Sequence, residues 1–126
     1  MPEISNGLIG DFPYSIWEHD SSKHLCGYLG IPPKHPWYHQ HYDKIFADIH
    51  GGLSYSDNSE TYPSITKEVY GLNIWWIGFD CAHAGDWPLF NNGHKWTRDE
   101  VYDELIGLAE QAYAAQEQLQ TSNYPE

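Results

Sequence analysis

Cysteine, methionine and positive charge are all scarce in this chain of 126 residues. It holds two Cys, one Met and six Lys+Arg against eighteen Asp+Glu. Six cations with no basic run leave no surface suited to a nucleic-acid duplex or an anionic membrane, both of which are held by clustered Lys and Arg. Cys26 and Cys81 allow at most one bridge. The opening Met1-Pro2-Glu3 has neither the basic start nor the apolar run of a secretory signal, so a reduced cytosol is the expected compartment. No apolar stretch reaches the roughly 20 residues that span a bilayer. Repeats, low-complexity tracts and linkers are absent too, so residues 1–126 are expected to form one domain, burying about two thirds of the extended surface.

Aromatic residues, by contrast, are plentiful. They make up 16% of the chain, with six Trp and ten Tyr, and the hydrophobic share is 40%. Such a composition folds in spite of a formal net charge of -12. Seven acids and one base fall in residues 97–126, so about half of that charge sits on the C-terminal segment.

Hydrophobic spacing predicts the elements. Residues 1–23, interrupted by Gly7, Gly10 and Pro13, read as irregular with at most a short strand. Residues 24–31 alternate bulky and small side chains up to Pro32-Pro33, the pattern of a strand entering a loop. Loop 34–42 is dense in rings, and its His35, His39 and His41 are expected to face solvent. Residues 44–50 alternate as a second strand, with Ile45, Ala47 and Ile49 on one face and Phe46, Asp48 and His50 on the other. Gly51-Gly52 permits a bend before a short extended piece at 53–56. Residues 72–80 are apolar on both faces and predict a central strand, followed by loop over 81–93. Thr97-Arg98-Asp99-Glu100 is a capping box, and Val101, Leu105, Leu108 and Ala112 recur at helical steps, which predicts a helix over 97–119 and a frayed tail over 120–126. The fold class is therefore α+β: a small, mainly antiparallel sheet packed against one long C-terminal helix.

The chemistry gathers where the two best strands end. One ends in Asp48-Ile49-His50-Gly51-Gly52, the other in Asp80-Cys81-Ala82-His83-Ala84-Gly85-Asp86. A carboxylate closing an apolar strand costs desolvation energy unless it meets a cation or several donors. His50, Asp80 and His83 are the candidate catalytic residues, meeting in one cavity. Asp80, His83 and Asp86 supply the imidazole and carboxylate ligands of a divalent site, for which nitrogen favours Zn or Mn over Mg. Asp48, Trp37, Tyr38, Ser54, Tyr55 and Trp87 are the candidate ligand-binding residues, the loop aromatics and Trp96 being suited to stacking on a planar group such as a nucleobase. The plainer alternative makes Asp80 a cap of the following loop. Cys81 reads as a buried thiol rather than a nucleophile.

The segments Cys26-Gly27-Tyr28-Leu29-Gly30-Ile31-Pro32, His35-Pro36-Trp37-Tyr38, His50-Gly51-Gly52-Leu53-Ser54-Tyr55-Ser56 and Trp75 to Asp86 resemble, in order across residues 24–113, a family of small proteins of bacteriophages and bacterial genomes. That resemblance implies a phage-type origin more than an activity. Small phage proteins of that lifestyle often bind or cleave nucleotide signals of host immunity. The resulting expectation is a protein that handles a small, nucleotide-like ligand, as a metal-assisted phosphodiester hydrolase with His50 as general acid or base. One alternative is a sponge that sequesters the ligand unchanged. Another is an acidic protein-interaction module with residues 97–119 as its contact face. Oligomeric state, including a homo-oligomer, is left open.

Overall fold

A computed structural model describes residues 3–58, 74–81 and 94–122. Among these residues five strands form one sheet, β1 (Glu3–Ile9), β2 (Phe12–Glu18), β3 (Leu25–Ile31), β4 (Tyr55–Asn58) and β5 (Trp75–Asp80), in the spatial order β1-β2-β3-β5-β4. Every pairing is antiparallel. One long helix, α1 (Arg98–Ser122), lies over β3 and β2. This is the expected α+β architecture.

The core sits between sheet and helix. Phe12 and Ile16 of β2, Leu25, Leu29 and Ile31 of β3, and Ile77 and Phe79 of β5 meet Val101, Leu105, Leu108 and Ala112 of α1. These helix positions are the four that helical spacing selected, and none is more than 1% exposed. Gly27 sets how closely the layers approach, since a Cβ there would lie 2.7 Å from the Phe79 ring and 2.9 Å from Val101. A second apolar cluster, Cys26, Tyr28, Ile74 and Trp76 with Trp17 and Tyr55 against it, occupies the opposite face of the sheet. Cys81, just past the end of β5, donates its amide to the Leu25 carbonyl beside Cys26, but the two cysteines belong to opposite faces and form no disulfide.

Three expectations need correction. The N-terminal part is not irregular: residues 3–18 form the β1–β2 hairpin, with Leu8 paired to Pro13 and Ile9 to Phe12. Gly10 adopts φ 60° at its tip, and the Tyr113 hydroxyl accepts from the Asp11 amide at 2.8 Å, tying the turn to α1. Gly7 is a strand residue because the Tyr14 ring fills the space a side chain would take. Residues that break a periodic pattern are here the ones that let a ring lie across the strand or the chain turn.

Residues 45–50 are not a strand either. The 3₁₀ turn Tyr42–Lys44 precedes them, and no ladder bonds are formed there among the described residues. Side chains of α1 serve this backbone instead. The Asp48 amide donates to Gln111 Oε1 at 2.6 Å, Gln111 Nε2 donates to the Asp48 carbonyl at 2.7 Å, and the His50 amide donates to Glu104 Oε1 at 2.8 Å. Ile45 and Ile49 are buried while Phe46 is exposed, so alternation survives without a partner strand. A period of two reports an extended chain lying on a core, and either a strand or a polar helix side chain satisfies its amides.

The third correction concerns His35, which is buried rather than solvent-facing. Its Nε2–H donates to the Ala112 carbonyl at 2.7 Å, and its Nδ1 accepts from the Trp37 amide at 3.0 Å. Boundaries shift elsewhere: the short extended piece pairs as Tyr55–Asn58, the central strand begins at Trp75, and α1 runs on through Ser122 into the expected tail. Residues 72 and 73 and the expected loop over 82–93 lie outside the described residues.

Candidate functional site

The capping box at the start of α1 forms as its sequence predicts. The Glu100 amide donates to Thr97 Oγ1 at 3.2 Å and the Thr97 amide donates to Glu100 Oε1 at 3.0 Å. The second oxygen of that carboxylate, Oε2, accepts from His94 Nε2 at 2.6 Å. Glu100 is thereby held below the usual carboxylate range, by the Thr97 amide first and by the His94 bond second. Donation of Nε2–H to the carboxylate leaves Nδ1 as the acceptor nitrogen of His94.

Between the cap and the core lies Trp96, partly buried against the main cluster. His50 rests on its indole with ring centroids 4.2 Å apart and planes tilted by 38°, and His94 meets the same indole edge-on at 5.7 Å. One indole therefore carries two imidazoles, one of them oriented by a carboxylate. Lys95 and Arg98, two of the six cations of the chain, flank Trp96 in sequence and are exposed. Arg98 also stands 3.7 Å from Asp99. The amides of the first helical turn add positive potential at this end.

The other expected site residues that the structure describes are dispersed. Asp80 ends β5 opposite Cys26, on the face away from α1. There its charge works on two neighbours. Burial and then Asp80 push the Cys26 thiol up to about 11. Burial first and His19 second lower His24, against a smaller upward pull from Asp80. The His19 and His24 rings stack at 5.0 Å in the β2–β3 connection. Tyr55 projects onto the same side, its ring 5.4 Å from that of Tyr28. His50, in contrast, is held from the α1 side, so Asp80 and His50 belong to opposite faces of the sheet although Ser54 donates its amide to Gly78 just before Asp80.

Trp37 is core, whereas Tyr38 stacks on His39 at 4.1 Å and His39 in turn meets Trp75 at 5.1 Å, building a ring array on the loop. Asp48 is exposed with its backbone clamped by Gln111, and Ser54 is exposed at the entry to β4. His83, Asp86 and Trp87 lie outside the described residues. Among the described residues, no group of three or more His, Cys, Asp or Glu is arranged to hold a metal ion.

Sequence reasoning missed His94, and it read Glu100 only as a cap. The available signal was His94-Lys95-Trp96: three residues of cationic or aromatic type immediately before an acidic helix, with a carboxylate placed to reach back. Comparison with protein-family models, with curated proteins and with solved structures finds no match. Among the described residues, no helix is long and apolar enough to cross a membrane.

Proposed function

We propose that the chain handles a small nucleotide-like phosphodiester at the end of α1 where His50, Trp96 and His94 meet, and that it acts there as a hydrolase. The observation that supports this most is the single indole carrying two imidazoles, one of them on a carboxylate. General acid–base cleavage of a phosphodiester needs one group to take a proton and another to return one, and paired imidazoles do both near neutral pH. In this reading His94 Nδ1 takes the proton of the attacking water while Glu100 stabilises the imidazolium that forms. His50 gives a proton to the leaving oxygen. Lys95 and Arg98 offset the phosphoryl charge, and Trp96 offers an edge to the base.

A separate, metal-assisted reading puts hydrolysis instead at the end of β5, with Asp80, His83 and Asp86 as ligands of Zn or Mn. For a phage-encoded chain, the ligand would be a nucleotide signal of host immunity, cleared or held in the host cytosol. The sponge alternative draws support from the open setting of the pair, since the side chains of His94 and Glu100 are 57% and 39% exposed and water-excluding closure normally accompanies catalysis.

Incubation with cyclic and linear nucleotides, followed by chromatography before and after heat release, tests these readings. Altered nucleotide that is lost in His50→Ala and in His94→Ala supports the hydrolase, whereas turnover that survives both changes and is lost in EDTA and in Asp80→Asn supports the metal form. Intact nucleotide released on heating supports the sponge. No binding and no turnover overturns the nucleotide reading altogether.

A further inference from the structure

Phe46 is the most exposed large apolar side chain among the described residues, at 96%. Its position is not an accident of a loose loop, because Ile45 and Ile49 on either side are buried and Asp48 is bonded twice to Gln111. Between Phe46 and α1 runs a groove of about 350 Å³ with Trp37, Lys44, Gln111, Ala114, Ala115 and Gln118 as its other walls. The helix residues lie at steps of three and four, so they form one stripe roughly 10 Å long. That stripe carries no charge, on a helix that is otherwise strongly acidic.

We propose that this groove is the docking site of a cationic amphipathic helix on a partner protein. The inference does not depend on the hydrolase reading. Small side chains at Ala114 and Ala115 let a second helix approach closely, and an aromatic standing in water beside a groove is the usual anchor of such an interface. Charge selects the occupant. Glu110 and Glu117 are helical neighbours of Ala114 at four and three residues, Asp48 is bonded through its backbone to Gln111, and all three are exposed, whereas Lys44 is the one charged residue among the groove's walls. A second copy of this chain would bring the same acids and a net charge of -12 to its own image. A helix with Leu along one face and Lys along the other meets both the apolar floor and the acidic rim.

The test uses a fluorescently labelled synthetic helix of Leu and Lys at amphipathic spacing, a scrambled peptide of the same composition, and anisotropy titration of the full chain. The amphipathic peptide is expected to bind about tenfold or more tightly than the scrambled one, and Phe46→Ser to remove about that advantage. Glu117→Lys is expected to weaken binding and its salt dependence together. Phe46 and Glu117 are exposed, so both variants should melt with the parent chain. Equal binding of the two peptides, or a Phe46→Ser chain that binds like the parent, overturns the proposal. So does sedimentation showing a dimer that Phe46→Ser converts to monomer, since the occupant would then be a second copy.

Discussion

Glu100 divides one carboxylate between Thr97 and His94. Oε1 closes the helix cap on the Thr97 amide and Oε2 accepts from His94 Nε2, so the orientation of an imidazole is tied to the start of α1. Glu100→Gln keeps an oxygen for the cap, because Gln also serves at this position of a capping box, but removes the charge opposite the imidazole. The expected result is a slightly lower melting temperature at neutral pH, a displaced His94 ring signal by NMR as its Nε2–H loses the carboxylate, and loss of any nucleotide turnover. An unchanged His94 ring signal would sever the link between cap and imidazole.

Because the Glu100 carboxyl is held below its usual value in the fold, its contribution to stability is present above the unfolded carboxylate range. It is lost as pH falls through the lower, folded value. Thermal melts of the parent chain and Glu100→Gln should therefore converge as the pH is taken below that range. Curves that stay parallel throughout would count against a stabilising charge at this position.

His35 works in the opposite sense. Burial lowers its pKa, partly offset by its bond to the Ala112 carbonyl, so the unfolded chain takes up a proton at about pH 6.5 while the folded chain does not. The unfolded state then binds more protons, and stability falls as pH drops below about 6.5. His24, also lowered, adds to the same slope. Denaturant melts at stepped pH should show that slope flattened in His35→Gln, even though the variant is less stable at every pH. A slope identical to the parent's would assign the effect elsewhere.

Gly27 is where sheet and helix touch. Gly27→Ala would set its Cβ 2.7 Å from Phe79 and 2.9 Å from Val101, and displacing a packed core of this kind costs about 1–3 kcal/mol. By contrast, Gly107→Ala meets nothing within 4 Å, and at this half-buried helix position with open space beside it the change should stabilise by up to about 1 kcal/mol. Chemical denaturation of the two variants checks both signs at once.

Asp80 is felt at Cys26, whose thiol is pushed up to about 11 by burial and then by that carboxylate. Asp80→Asn should lower the pH at which Cys26 is alkylated, though not to an ordinary thiol value, because burial is the larger cause. Mass mapping of the modified thiol separates Cys26 from Cys81. If Asp80 also serves a ligand or metal, the same variant should lose binding with its melting temperature unchanged or raised.

The helix, its cap and its buried stripe were legible in the residues because a 3.6 period, a Thr and a Glu three apart, and a C-terminal excess of acid all report on contacts within one element. β3 and β5 were legible for the same reason, as apolar runs bounded by proline or by charge. The β1–β2 hairpin was not, since Gly7 and Pro13 look like breaks until Tyr14 is seen lying on one and Leu8 pairing with the other. Residues 44–50 show the limit from the other side: their alternation told which side chains would be buried, but not that Gln111 and Glu104, more than fifty positions away, would satisfy the backbone in place of a strand. For the candidate site, sequence selected His50 from its place beside two glycines and Asp80 from its place at a strand end. Only the tertiary structure set them on opposite faces of the sheet and brought His50 to Trp96 and His94, because which face a side chain occupies depends on where the helix packs, and no spacing within a strand encodes that.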